Sequence, residues 1–92
     1  MKNKLKLAAY TLKRYEPNLD SYFFCNADSG ALWKTDYTTG AVISSLNGTQ
    51  TEDDIVELLA SNSPDVPAAV IKSYFSSIFD FLLKEGFICY AI

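Results

Sequence analysis

Few side chains in this chain are suited to chemistry, and they are badly spaced for it. The 92 residues include no His, which removes the usual general base, proton shuttle and metal ligand. The densest carboxylate group is Asp53-Asp54 with Glu57. It follows Thr51 at the start of an apolar-periodic stretch, where acids complement the positive end of a helix. Cys25 and Cys89 are far apart and neither belongs to a CxxC pair, so a zinc site would have to be assembled from carboxylates. They read as two reduced, buried thiols, with a strand-to-strand disulfide as the alternative. Asp28-Ser29 imitates a phosphopantetheine attachment site, but that serine should begin a helix and Ser29 stands in a turn. There is no Gly-rich phosphate loop and no nucleophile-plus-base spacing. The sequence predicts no catalytic residue, no metal and no cofactor: not an enzyme.

What remains is recognition chemistry carried by apolar and aromatic side chains, which need elements to hold them. Ala9 to Tyr15 alternates as a strand, with Tyr10, Leu12 and Arg14 on one face. Pro17-Asn18 is a turn. Ser21-Tyr22-Phe23-Phe24-Cys25 is β-prone, Asn26-Ala27-Asp28-Ser29-Gly30 has hairpin-turn chemistry, and Ala31-Leu32-Trp33-Lys34-Thr35 returns as a third strand. The first half is thus predicted as a three-stranded antiparallel meander.

The second half is helical. Asp36, Thr38 or Thr39 caps a short helix through Ala41, Val42, Ile43 and Leu46, stopped by Asn47-Gly48. Thr51-Glu52-Asp53-Asp54 resembles a capping box, so Thr51 starts a second helix whose apolar stripe is Ile55, Val56, Leu58 and Leu59. Pro67 suits the first turn of a third helix, which runs to Gly86 with Lys84 in its last turn. Phe87-Ile88-Cys89-Tyr90 adds a terminal strand or covers the core. The third helix is apolar around more than half its circumference. Val70, Tyr74 and Phe81 lie outside the stripe Ile71, Phe75, Ile78 and Leu82 that one packing face requires. The fold class is α+β, with residues 1–8 a loosely ordered basic start and 9–90 a single domain.

Charge narrows the partners. The net charge is −3, and five of the eight basic residues fall within the first fourteen positions. The remainder is acidic, which argues against nucleic acid. The apolar run Leu5, Leu7, Ala8, Ala9 is too short for a signal peptide. No stretch approaches the ~20 apolar residues of a membrane helix. A cytoplasmic protein, monomeric or dimeric, with no membrane or nucleic-acid partner is expected.

The order of these motifs resembles the PqqD family, also called RiPP recognition elements after the ribosomally made, modified peptides they serve. The resemblance spans roughly residues 9–88. Asp28-Ser29-Gly30 stands at the family's Thr-Gly-type hairpin turn, and Trp33 falls in the third strand. Thr39-Gly40-Ala41 opens the first helix, Leu46 and Gly48 form Leu-x-Gly, and Thr51, Ile55 and Leu59 fit the second helix. Phe81-Leu82-Leu83-Lys84-Glu85-Gly86-Phe87-Ile88 matches the closing pattern. Where the family often has Leu-Asn before the first helix, Thr35-Asp36 stands here. The resemblance implies a winged-helix-like fold without chemistry of its own. Such a domain binds the leader segment of a precursor peptide and presents it to a modifying enzyme, often a radical-SAM protein. The leader adds as a strand beside the third strand, against the third helix.

The sequence agrees on its own terms. The third strand is an edge of the meander, and residues 31–35 carry only Lys34 as a guard and no Pro. An exposed edge beside a wide apolar helix suits strand addition. The expected docking edge is Ala31, Leu32, Trp33, Lys34 and Thr35, with Trp33 as anchor. The expected helix wall is Val70, Ser73, Tyr74, Ser77 and Phe81. The alternative function is a winged-helix protein–protein adaptor with no leader-peptide ligand.

Overall fold

The computed structural model describes residues 3–91. In chain order the elements are β1 (Lys4–Leu7), β2 (Thr11–Glu16), β3 (Ser21–Asn26), β4 (Leu32–Asp36), α1 (Tyr37–Ser44), β5 (Asn47–Thr51), α2 (Glu52–Asn62), α3 (Ala68–Lys84) and β6 (Ile88–Tyr90). The result is an α+β, winged-helix-like arrangement. β2, β3 and β4 form the antiparallel meander in that spatial order, and three helices follow it.

A second sheet, ordered β5-β1-β6, corrects the reading of the chain's start. Residues 1–8 are expected to be loosely ordered. Instead Lys4–Leu7 is the central strand of this sheet, Leu5 is 2% exposed within the core, and Ala8 is buried. Met1 and Lys2 lie outside the described residues. Four residues alternating Lys and Leu give too short a signal to identify a strand. The strand exists because two distant segments supply its backbone partners, β5 on one side and β6 on the other. β5 itself occupies Asn47–Thr51, which the sequence marks only as a helix stop. Gly48, at φ +84, takes a left-handed conformation that lets the chain turn from α1 into it. For Phe87-Ile88-Cys89-Tyr90, the realised option is the terminal strand β6.

The helix boundaries follow local chemistry. Of the three candidate caps for α1, Asp36 is the one used, its Oδ1 accepting from the Thr39 N–H at 3.3 Å. The capping box of α2 is complete: Thr51 Oγ1 accepts from the Asp54 N–H at 3.2 Å, and Asp54 Oδ2 accepts from the Thr51 N–H at 3.0 Å. In α2, Ile55 and Val56 are buried and Leu59 is partly so. Leu58 is exposed, which removes it from the predicted stripe. Pro67 sits at the N-cap of α3, one residue before the first turn, and Gly86 (φ +78) follows its end.

Helices and sheets share one core. Phe24 comes from the meander, Leu5 and Ile88 from the second sheet, and Ile43, Ile55, Ile71, Phe75, Phe79 and Leu82 from the helices. Cys25 and Cys89 lie in different sheets, unbonded and half-buried.

Candidate functional site

Hydrogen-bond phase decides what β4 offers. β3 pairs with β4 through Phe24↔Trp33 and Tyr22↔Thr35, and the Asn26 N–H donates to the Ala31 carbonyl at 2.9 Å. In an antiparallel ladder, residues that bond a given neighbour alternate with residues that do not. Trp33 and Thr35 therefore turn their N–H and C=O groups toward β3, as Ala31 does its carbonyl, while the Ala31 N–H donates to Ser29 Oγ at 3.2 Å. Leu32 and Lys34 turn theirs outward, away from the sheet. Among the described residues, β4 has no strand on its other side. The outward-facing backbone of the predicted edge is thus that of Leu32 and Lys34, and the Thr35 N–H points inward.

The side chains alternate as well. Trp33 and Thr35 face the core side and are half-buried, whereas Leu32 is 76% exposed and Lys34 is exposed on the opposite face. Trp33 packs against the core, its ring 5.4 Å from that of Phe24. It is the end of an aromatic row across the inner face: Tyr15, Tyr22, Phe24, Trp33, with Tyr37 of α1 against the first two. α1 comes close enough to Tyr22 that a Cβ on Gly40 would lie 2.4 Å from its atoms. The glycine of the Thr39-Gly40-Ala41 motif is therefore required by a close helix–sheet approach.

α3 divides into a buried and an exposed face, with one correction to the predicted stripe: Phe79 is buried where Ile78 is expected, and Ile78 is half-buried. Ile71, Phe75, Phe79 and Leu82 are buried in the core. Val70, Ser73, Tyr74, Ser77 and Phe81 are all exposed, with Val70 56%, Tyr74 51% and Phe81 44% open to solvent. Spacings of three and four residues place these five on one helix face. Tyr74 is held in place: its hydroxyl lies 3.0 Å from Thr39 Oγ1, and Thr39 is 2% exposed in α1. Since α1 starts directly from β4, this bond links the exposed face of α3 to the end of the edge strand.

A second tie escapes sequence reading. Asn26 appears in sequence only as a turn residue, yet it is 4% exposed. Its Nδ2 donates to the Glu85 carbonyl at 3.0 Å, while its Oδ1 accepts from the N–H groups of Asp28 and Ser29. One side chain thus shapes the β3–β4 turn and fastens it to the end of α3. The only sequence signal is an Asn before a turn. Its partner 59 positions away is a product of the fold.

Cavities lie elsewhere. One of about 220 Å³ is lined by Asn3, Leu5, Thr51, Glu52, Asp53, Phe79, Leu83 and Tyr90. There Glu52 Oε1 is buried without a hydrogen-bond partner among the described residues. Burial, with Asp80 and Asp53 nearby, raises the Glu52 carboxyl above its ordinary value, against the opposing influence of Ser76 and the Lys72 charge. Among the described residues, no group of three His, Cys, Asp or Glu side chains is placed to hold a metal ion, and no helix is long and apolar enough to cross a membrane.

The fold has known counterparts. One is TbiB1, solved in complex with the TbiA(beta) leader peptide. It aligns with a TM-score of 0.75 at 14% identity over 95% of this chain and 99% of TbiB1. A second is the heterocyclase TruD, with a TM-score of 0.60 at 19% identity over 97% of this chain. The match occupies 12% of TruD, so there the same fold is one segment of a much longer chain. At these identities the likeness is one of fold. No protein-family model and no curated relative matches the sequence.

Proposed function

We propose that this protein binds the leader segment of a ribosomally made precursor peptide as an added strand on β4, beside the exposed face of α3, and presents it to a modifying enzyme. The observation that carries this reading is a weakly guarded edge strand running into α1, with Tyr74 of the exposed α3 face tied to α1 through Thr39. Leu32 and Lys34 offer outward backbone groups, while Val70, Tyr74 and Phe81 stand exposed on α3. Backbone bonds to an edge give affinity that is indifferent to sequence, and side-chain pockets give the selectivity. That TbiB1, which shares this fold, carries a leader peptide supports the assignment. The protein contributes binding and orientation, with the chemistry left to its partner. The family resemblance favours a radical-SAM enzyme as that partner. A heterocyclase that carries the fold within its own chain makes a cyclising enzyme the second class to test.

The test is a titration of the purified protein with the leader of the precursor encoded beside it. The fluorescence of Trp33, the single tryptophan, is followed in parallel with calorimetry. Saturable binding that is lost when the leader is scrambled supports the proposal. Silence in both assays removes it for that precursor and favours an adaptor that binds a folded protein. Pull-down of such a protein in the absence of any precursor would point the same way.

A further inference from the structure

The outward-facing side of the meander is built in three cross-strand rows. Leu12, Cys25 and Leu32 are opposite one another, then Arg14, Phe23 and Lys34, then Glu16, Ser21 and Asp36. The solvated face of an antiparallel sheet is normally polar, yet here Leu12 is 61% and Leu32 76% exposed. The charges are unevenly committed. Arg14 Nη2 pairs with Glu16 Oε2 at 3.0 Å, and Asp36 is engaged in capping α1. Lys34 makes no ion pair among the described residues, and its ammonium lies 5.8 Å from the centroid of the Phe23 ring. Before the helix cap Asp36, Leu32 and Lys34 are also the β4 residues whose backbone groups face outward. A strand added there must set two of its own side chains directly beside theirs, at cross-strand contact distance.

We infer that the edge selects its guest through this outer pair: the bound segment carries an Asp or Glu opposite Lys34 and an apolar residue opposite Leu32. The inference rests on the peptide-binding reading above and specifies its ligand. Both pairings within the meander are antiparallel, the more stable arrangement per residue. An antiparallel guest meets Lys34 first, so the motif is acid-x-apolar, with the middle side chain directed to the inner face occupied by Trp33. The charge balance points the same way. The chain has a net charge of −3 and would repel an acidic peptide in general. Lys34, alone among residues 31–35, offers a cation to receive one, which places the acid in register.

A random decapeptide display library panned on the full chain tests this, with Lys34→Glu and Leu32→Thr panned alongside. Circular dichroism of each variant checks that these exposed substitutions leave the fold unchanged. The wild type is expected to enrich Asp or Glu two residues before Leu, Ile, Val or Phe. Lys34→Glu should replace the acid by Lys or Arg, and Leu32→Thr should lose the apolar preference alone. In a synthetic peptide drawn from the pool, exchanging the acid for its amide should weaken binding about two- to fivefold at low salt. That difference should shrink as ionic strength rises. Identical enrichment on wild type and Lys34→Glu overturns the inference. If peptides enrich, are lost with Lys34→Pro, and show no acid, only the selectivity is wrong and the docking edge stands. If nothing enriches, or if Lys34→Pro binds the pool as well as wild type does, the docking edge fails and the inference falls with it.

Discussion

The meander has two open edges, and the molecule treats them differently. β2 is guarded. Thr11 donates its N–H to Ala8 and its hydroxyl to the Phe87 carbonyl, and Lys13 Nζ donates to the Ser44 carbonyl at 2.9 Å. Arg14 pairs with Glu16, and Pro17 follows the strand. β4 carries Lys34, with Asp36 at its end capping α1, and its Leu32 is 76% exposed. Being an edge is therefore not what makes a docking strand. Tethering, an ion pair and a proline protect β2 against unwanted pairing, whereas β4 has Lys34 and no proline.

The largest effect expected from breaking this contrast comes from two adjacent prolines. Thr35→Pro removes an N–H that bonds β3 and sets a ring inside the sheet, so it should cost about 3 kcal/mol or more of stability. Lys34→Pro removes an N–H that faces solvent, and the fold should tolerate it. Chemical denaturation of the two variants reads the difference. Equal stabilities would mean that the inward and outward phases along β4 are misassigned.

The two hairpin turns extend the comparison. Asn26→Ala strips three hydrogen bonds from a buried side chain and frees the β3–β4 turn from α3, and should cost about 2–3 kcal/mol. In the β2–β3 turn, Asp20 accepts an exposed hydrogen bond from the Tyr15 hydroxyl at 2.8 Å. Asp20→Asn, which keeps a side chain suited to the positive φ there, should change stability by less than about 0.5 kcal/mol. Comparable losses in thermal unfolding would deny that the docking edge is the more firmly anchored of the two.

Binding gives the next measure. Lys13 and Lys34 are matched, since each is an edge residue whose N–H points away from β3. Lys34→Pro should weaken leader binding about tenfold or more, near 1.4 kcal/mol, by removing a strand-addition bond. Lys13→Pro should leave affinity where it was. The reverse ranking in calorimetry would move the site to β2. Trp33→Ala is a poorer probe. Its ring is packed on Phe24 and the core, so loss of binding would come mixed with loss of stability. Tyr74→Phe should cost about 1 kcal/mol of stability by leaving the buried Thr39 hydroxyl unpaired, with peptide affinity falling only if Tyr74 forms the wall.

How much of this is legible in the sequence depends on the range of the cause. The meander, the capping box at Thr51, the split of α3 into a buried stripe and an exposed face, and the weak guarding of residues 31–35 all rest on neighbours within a few positions. The second sheet does not. Lys4–Leu7 becomes a strand through partners more than forty residues away, which no local pattern announces. The same holds for Asn26 with Glu85 and Thr39 with Tyr74. The phase of β4 lies between these cases. Alternation is visible in sequence, but which half of it faces β3 is fixed only once Asn26 and Ala31 pair.

The region farthest in role from the edge supplies the smallest effect and a control. Glu52 lines the cavity between α2, α3 and the second sheet, with its carboxyl raised from an ordinary 4.5 chiefly by burial. A carboxyl whose folded pKa is raised favours the folded state while protonated. Its contribution is full below about pH 4.5 and is lost as pH climbs through the raised value. Glu52→Gln should therefore match the wild type at low pH and exceed it above that window, by about a few tenths of a kcal/mol given the partial solvent exposure. Denaturation curves across pH 3.5 to 8 check the sign. Leader affinity should be the same in both proteins at pH 7. If it changes with Glu52, the two halves of the molecule are coupled, and the guest reports on more than the edge it pairs with.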